Sequence, residues 1–80
     1  MRYLVIYGSA GCTLCERVRD WAEELSSEFP FSLDYIDVRN DPGLESEYGA
    51  DIPIVFLDGR ELGRGKIERN RLRELLEEEL

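Results

Sequence analysis

The sequence predicts an α/β fold in the order β-α-β-α-β-β-α, a four-stranded mixed sheet with helices on both faces. Three observations carry this. Short apolar runs alternate with stretches whose apolar residues recur at helical spacing. A helical stretch separates the first two strand runs, so those strands are parallel with a right-handed crossover between them. Asp58-Gly59 stands between the last two strand runs as a two-residue hairpin signal, which makes those strands antiparallel.

The first strand is the apolar run Tyr3-Leu4-Val5-Ile6-Tyr7. From Thr13 to Glu28, Leu14, Val18, Trp21, Ala22 and Leu25 fall on one helical face, with Cys15 bordering it and Arg17, Arg19, Asp20 and Glu23 on wet faces. Phe29-Pro30 is expected to stop this helix, because the residue before proline is pushed out of the α region. Phe31 to Val38 reads as a strand by composition and length. Asp41 and Pro42 are an N-cap and a first helical position, so a short helix is expected over Pro42 to Tyr48, stopped by Gly49. Asp51 to Leu57 reads as a strand opening on Pro53, and Arg60 to Gly65 as a short edge strand. From about Glu68, the residues Leu72, Leu75, Leu76 and Leu80 mark an amphipathic helix that packs on one sheet face.

Length and charge bound the function. Eighty residues give room for one core, so a single domain over 1–80 is expected. A net charge of −8 supplies no basic face for nucleic acid or anionic membranes, and it reads as solubility charge on helix faces. No leader pattern is evident at the N-terminus, and no apolar run approaches the ~18 residues of a membrane span. The expected location is the cytoplasm, and the expected state is a monomer.

The two cysteines lie in Gly11-Cys12-Thr13-Leu14-Cys15, at the turn between the first strand and the first helix. A helix start leaves backbone N–H groups unpaired and carries a partial positive charge, and both favour a thiolate at Cys12. Cys15 comes about one turn later, within reach of Cys12 for a small disulfide ring, and it is the more buried of the two. An activated outer sulfur with a second sulfur to resolve it meets the requirement for dithiol-disulfide exchange. In a reducing compartment this spacing points to redox chemistry rather than to a structural crosslink. With no histidine and no second cysteine pair, a four-coordinate zinc site lacks ligands, so no metal is expected.

These features together resemble the thioredoxin-like superfamily, and within it the glutaredoxins and a group of short glutaredoxin-like domains. The match runs over essentially the whole chain, through the strand leading to Cys12 and Cys15, the Ile52-Pro53 step and Asp58-Gly59 leading to Leu62-Gly63. The resemblance implies a cis Ile52-Pro53 bond facing the cysteine pair, with the Ile52 backbone free to pair with an extended substrate. It also implies substrate contacts from Thr13, Leu14, Ile52, Pro53, Gly63 and Arg64 around the catalytic Cys12 and Cys15. The chain departs from the glutathione-binding pattern at three places. Ser9 stands where a lysine is usual, Thr13 and Leu14 replace a proline and an aromatic, and within Gly63-Arg64-Gly65-Lys66-Ile67 the acidic residue that would receive the glutathione amine is missing, with a basic pair nearby. Without the lysine, the Cys12 thiolate depends mainly on the helix terminus. Arg64 and Lys66 read either as carboxylate contacts or as edge-strand charges that discourage aggregation.

The function this implies is a thiol-disulfide oxidoreductase with no organic cofactor. Its substrates are disulfides in proteins or small molecules, and glutathione or a disulfide reductase recycles it. The alternative is a non-enzymatic module on the same fold, acting as a redox sensor, a protein-binding adaptor or a carrier of an iron-sulfur cluster held through Cys12 and outside thiols.

Overall fold

The protein is described by a computed structural model over residues 2–80. Strand β1 (Arg2–Gly8) leads into helix α1 (Thr13–Leu25), and β2 (Phe31–Asp37) is followed by a 3₁₀ turn at Val38–Asn40. Helix α2 (Pro42–Tyr48), strands β3 (Ile54–Leu57) and β4 (Arg60–Arg64) and helix α3 (Arg69–Glu79) complete the order. The sheet runs β2-β1-β3-β4, with β1 parallel to β2 and antiparallel to β3, and β3 antiparallel to β4. The expected fold class and element order are both present.

Register assigns the two faces of the sheet. Leu4 pairs with Leu57 and Ile6 with Val55, so these four point the same way. They join Val18, Ala22 and Leu25 of α1 and Leu72 and Leu76 of α3 in the main core, with Trp21 packed against it. Fully burying a leucine of this kind contributes roughly 1.5–3 kcal/mol. On the opposite face Tyr7 packs against Phe56 at 4.8 Å between ring centroids and edge-on against Tyr48 of α2 at 5.2 Å. Helices therefore cover both faces. The cover on the α2 side is thinner, since α2 contributes no buried residue and Tyr3 stays 46% exposed.

Several boundaries differ from the sequence expectation. Helix α1 ends at Leu25 rather than Glu28, because Ser26 and Ser27 turn their hydroxyls onto the carbonyls of Glu23 and Glu24, at 2.6 and 2.8 Å. Strand β2 stops at Asp37, whose side chain accepts from the Arg39 amide at 2.9 Å and opens the 3₁₀ turn. Strand β3 begins at Ile54, after Pro53 rather than before it, since proline has no N–H for a ladder. The edge strand β4 ends at Arg64, one residue short of Gly65, whose amide turns to the Pro53 carbonyl at 2.7 Å. Gly49 caps α2 with a right-handed φ of −56°, so a left-handed stop is not what it provides. Leu80 follows the last turn of α3 and is 39% exposed, outside the core stripe that contains Leu72 and Leu76.

Turn chemistry follows the expectation at both polar turns. Asp41 caps α2 by accepting from the amides of Gly43 at 2.9 Å and Leu44 at 3.3 Å. Asp58 and Gly59 both take positive φ, 51° and 85°, the requirement of a type I′ hairpin. Asp58 also reaches across to β1, accepting from the Tyr3 amide at 2.9 Å and from Arg2.

Candidate functional site

Strand directions collect the chemistry at one end of the sheet. Gly8 ends β1 opposite Asp37 at the end of the parallel β2, and Tyr7 is opposite Ile54 at the start of the antiparallel β3. Ile54 is in turn opposite Arg64 at the end of β4. The cysteine turn that follows Gly8, the Ile52–Pro53 step that precedes Ile54, and Arg64 therefore share this end.

The turn itself is built from backbone. Ser9 offers its carbonyl to the Cys12 amide at 3.3 Å, and Gly11 takes φ +81°, the sign that the third residue of a type II turn requires. Asp37 holds the loop from the side by accepting from the Ala10 amide at 3.2 Å. The Tyr35 hydroxyl donates to the Ser9 carbonyl at 3.1 Å. Ser9 is fully buried, and its own hydroxyl makes no hydrogen bond to a described residue.

Cys12 is the N-cap of α1, with φ −86° and ψ 104°, and its sulfur accepts from the Cys15 amide at 3.2 Å. Its carbonyl already accepts the Glu16 amide at 3.0 Å, as an N-cap carbonyl should. Cys12 and Cys15 are joined in a disulfide with Cα atoms 5.2 Å apart, inside the usual range for such a bond. Cys12 is half-buried and Cys15 fully buried, so an incoming group meets the Cys12 side of the bond. Thr13 is exposed and Leu14 half-buried on the first turn of α1, beside that open side. In the dithiol form a thiolate at Cys12 sits where the amides of the first turn point, which is chemically what the start of a helix favours.

The other expected site residues divide. The Ile52–Pro53 peptide bond is cis; Pro53 is fully buried and Ile52 half-buried. The Ile52 backbone makes no hydrogen bond to another described residue. Gly63 faces α3: a Cβ there would sit 3.5 Å from Ile67 and 3.7 Å from Leu75, so its place is in packing. The Arg64 guanidinium is held by both carboxylate oxygens of Glu61, at 2.9 and 2.6 Å, and by Asp51 at 3.1 Å. The hydrogen bonds to Glu61 push the Arg64 pKa up and hold the Glu61 carboxyl below its ordinary value. Asp51, for which the sequence offers no role, thus ties the Ile52–Pro53 loop to the edge strand. Among the described residues, no three His, Cys, Asp or Glu side chains converge as a metal site.

Sequence reasoning missed Gly8, Tyr35 and Asp37. The position of a Cβ on Gly8 is already taken by the phenol end of Tyr35, with Tyr35 Cζ at 2.7 Å and Cys15 Cβ at 3.0 Å. Burial pushes the Tyr35 phenol pKa up, while Arg19, stacked over the ring at 5.0 Å, pulls it down. The available signal was the alternation Leu33, Tyr35, Asp37, which puts Tyr35 and Asp37 on the α1 face of β2 opposite Ile6 and Gly8.

Comparisons with known proteins agree with this architecture. Residues 3–77 match the family described as glutaredoxin-like domain (DUF836). An uncharacterized protein of Mycobacterium tuberculosis (strain H37Rv) is 44% identical over 69 residues, which cover 80% of this chain and 71% of that one. Glutaredoxin 1 of Escherichia coli (strain K12) is 34% identical over 67 residues, covering 74% of this chain and 79% of that protein. The solution structure of a Nitrosomonas europaea protein superposes with a TM-score of 0.75 at 27% identity, over 94% of this chain and 91% of that one. A thioredoxin from Halobacterium salinarum shares the fold, with a TM-score of 0.71 at 24% identity over 96% of this chain and 73% of that one. A cysteine pair at a strand-to-helix turn, on a four-stranded mixed sheet matched along nearly its whole length, places the chain in the glutaredoxin-like domain (DUF836) family of the thioredoxin-like superfamily.

Proposed function

We propose that the protein is a thiol-disulfide oxidoreductase that cycles Cys12 and Cys15 between dithiol and disulfide. The observation that carries this reading is the asymmetry of the pair: Cys12 half-exposed at a helix N-cap, Cys15 fully buried and bonded to it. In the reducing direction the Cys12 thiolate attacks one sulfur of a substrate disulfide. A Cys12–substrate disulfide forms, and the other substrate sulfur leaves with the electron pair and takes up a proton. Cys15, giving up its proton, then attacks Cys12, and the second substrate sulfur leaves as a thiol. The substrate gains two electrons and two protons, and the pair loses the same.

The exposed Thr13, the half-buried Leu14 and the Ile52 backbone, which bonds to no other described residue, supply the contact surface for an extended disulfide-bearing segment of a protein or small molecule. Pro53 beside them offers no N–H to compete for the thiolate. Glutathione or a disulfide reductase returns the pair to the dithiol, and no organic cofactor takes part because the electrons stay on sulfur. Gly63 and Arg64 support the site through packing and through the Glu61–Arg64–Asp51 contacts.

The test is trapping. Reduced Cys15→Ser protein mixed with a protein disulfide such as insulin should accumulate a mixed disulfide through Cys12, whereas the unaltered protein releases reduced insulin. Failure of Cys15→Ser to form any mixed disulfide, with no insulin reduction by the unaltered protein, overturns the reading in favour of a sensor or adaptor.

A further inference from the structure

We propose that Tyr35 is a positioning residue of the redox pair, its hydroxyl fixing the Ser9–Cys12 turn and accepting the hydrogen bond of the Cys15 thiol once the disulfide opens. The inference rests on the oxidoreductase reading and adds to it a device outside the two cysteines. Three observations carry it.

First, the Tyr35 hydroxyl reaches from β2 to the end of β1 and donates to the Ser9 carbonyl at 3.1 Å. That carbonyl also takes the Cys12 amide at 3.3 Å, so one oxygen joins the phenol to the residue that carries the attacking sulfur. Second, the phenol end of Tyr35 and the Cys15 Cβ crowd the same point, the place a side chain on Gly8 would occupy. Only the missing side chain of Gly8 lets the hydroxyl come so close to Cys15. Third, the ring is held from outside by the Arg19 guanidinium at 5.0 Å.

The chemistry follows from what each group can do. In the disulfide Cys15 has no proton and needs no acceptor. When a thiolate attacks Cys12, the S–S bond breaks, the electron pair goes to the Cys15 sulfur, and that sulfur takes up a proton supplied through solvent from the attacking thiol. A fully buried S–H donor has then been created, and buried donors need partners. A phenol that spends its one proton on Ser9 keeps its lone pairs for accepting. Burial raises the Tyr35 pKa, so the phenol stays protonated and continues to donate to Ser9. The hydroxyl thereby stabilises the dithiol more than the disulfide, and this makes the pair easier to reduce.

The experiment equilibrates the full chain, Tyr35→Phe and the control Tyr3→Phe in glutathione buffers, with mass spectrometry counting the reduced and oxidised forms. Tyr35→Phe keeps the ring and loses only the hydroxyl. The expected result is a shift of about three- to tenfold toward the disulfide, roughly 15–30 mV more negative, with no shift in Tyr3→Phe. Urea unfolding of both redox forms gives a second readout: Tyr35→Phe should lower the midpoint of the reduced form more than that of the oxidised form. A hydroxyl that merely braces the Ser9 carbonyl would weaken both forms equally and leave the equilibrium where it was, and that result overturns the inference. A pair that cycles normally with an unmoved equilibrium in Tyr35→Phe overturns this inference alone. A pair that cannot be reduced and reoxidised in the unaltered chain overturns the oxidoreductase reading with it.

Discussion

The backbone amide of Cys15 donates to the sulfur of Cys12 at 3.2 Å, so the inner cysteine serves the outer one through its backbone as well as through its own sulfur. This contact makes Cys12 an N-cap residue in which sulfur does what a serine or aspartate oxygen usually does. A thiolate accepts such a bond more strongly than a thiol, and it sits where the helix amides are unpaired. Glu16 in the first turn adds a negative charge that works against the thiolate, and Ser9 stands at the position of the usual lysine.

Reactivity should therefore separate the two cysteines. In the reduced protein at pH 7, iodoacetamide should modify Cys12 at least about tenfold faster than Cys15, since the thiolate is the nucleophile and access decides the rest. Peptide mapping of the alkylated protein reads both rates; equal labelling of the two thiols would contradict the asymmetry.

Gly8 is required by packing. A methyl group there meets the Tyr35 hydroxyl, Tyr35 Cζ at 2.7 Å and Cys15 Cβ at 3.0 Å, and the Tyr35 ring is held in place by its hydrogen bond to Ser9 and by Arg19. Gly8→Ala should cost about 1–3 kcal/mol by overpacking, measured by urea unfolding of the oxidised protein. A neutral substitution would mean that β2 gives way more easily than the register implies.

Helix α3 and its C-cap offer a contrast between a leucine inside the core stripe and one beyond it. Leu76 is fully buried, and Leu76→Ala should destabilise by about 2–5 kcal/mol, a large share of the stability of a small domain. Leu80, at 39% exposure beyond the last turn, should tolerate alanine within about 0.5 kcal/mol. Denaturation midpoints of the two variants test the boundary directly.

Acid should weaken the fold through three carboxylates. Hydrogen bonds from Arg73, Arg64 and Arg2 hold Glu28, Glu61 and Asp58 below their ordinary values of 4.5, 4.5 and 3.8. A depressed folded pKa gives stability that is present above the unfolded value and lost as pH falls through the folded one. Thermal unfolding should therefore hold steady from about pH 8 to 6 and decline below about pH 4.5, less steeply in 1 M salt, because these pairs are exposed and screened. A midpoint that rises continuously toward pH 3 would show that relief of the −8 net charge outweighs the pairs.

Where the sequence was legible, one local rule was enough. The N-cap at Asp41, the Asp58-Gly59 hairpin and the helical spacing of Val18, Ala22 and Leu25 each follow from a few adjacent residues, and each appears as expected. The cysteine pair was legible for the same reason, since N-cap placement and three-residue spacing are local. The missed parts are contacts between distant segments. Tyr35 meets Gly8 only after β2 pairs with β1 in one register, and Arg64 meets Asp51 only after the edge strand folds back. The early end of α1 at Leu25 escaped because Ser26 and Ser27 compete for backbone carbonyls just before the proline-based stop.

The central claim, that Cys12 and Cys15 form an exchange couple rather than a fixed crosslink, is tested most directly by the reduction potential of the pair in glutathione and dithiothreitol buffers, read by mass spectrometry. A reversible intramolecular disulfide with a potential between roughly −180 and −270 mV is the predicted result, the range spanned by exchange catalysts of this kind. A potential below about −300 mV, as structural disulfides show, or a reduced protein that never re-forms the Cys12–Cys15 bond, would contradict it.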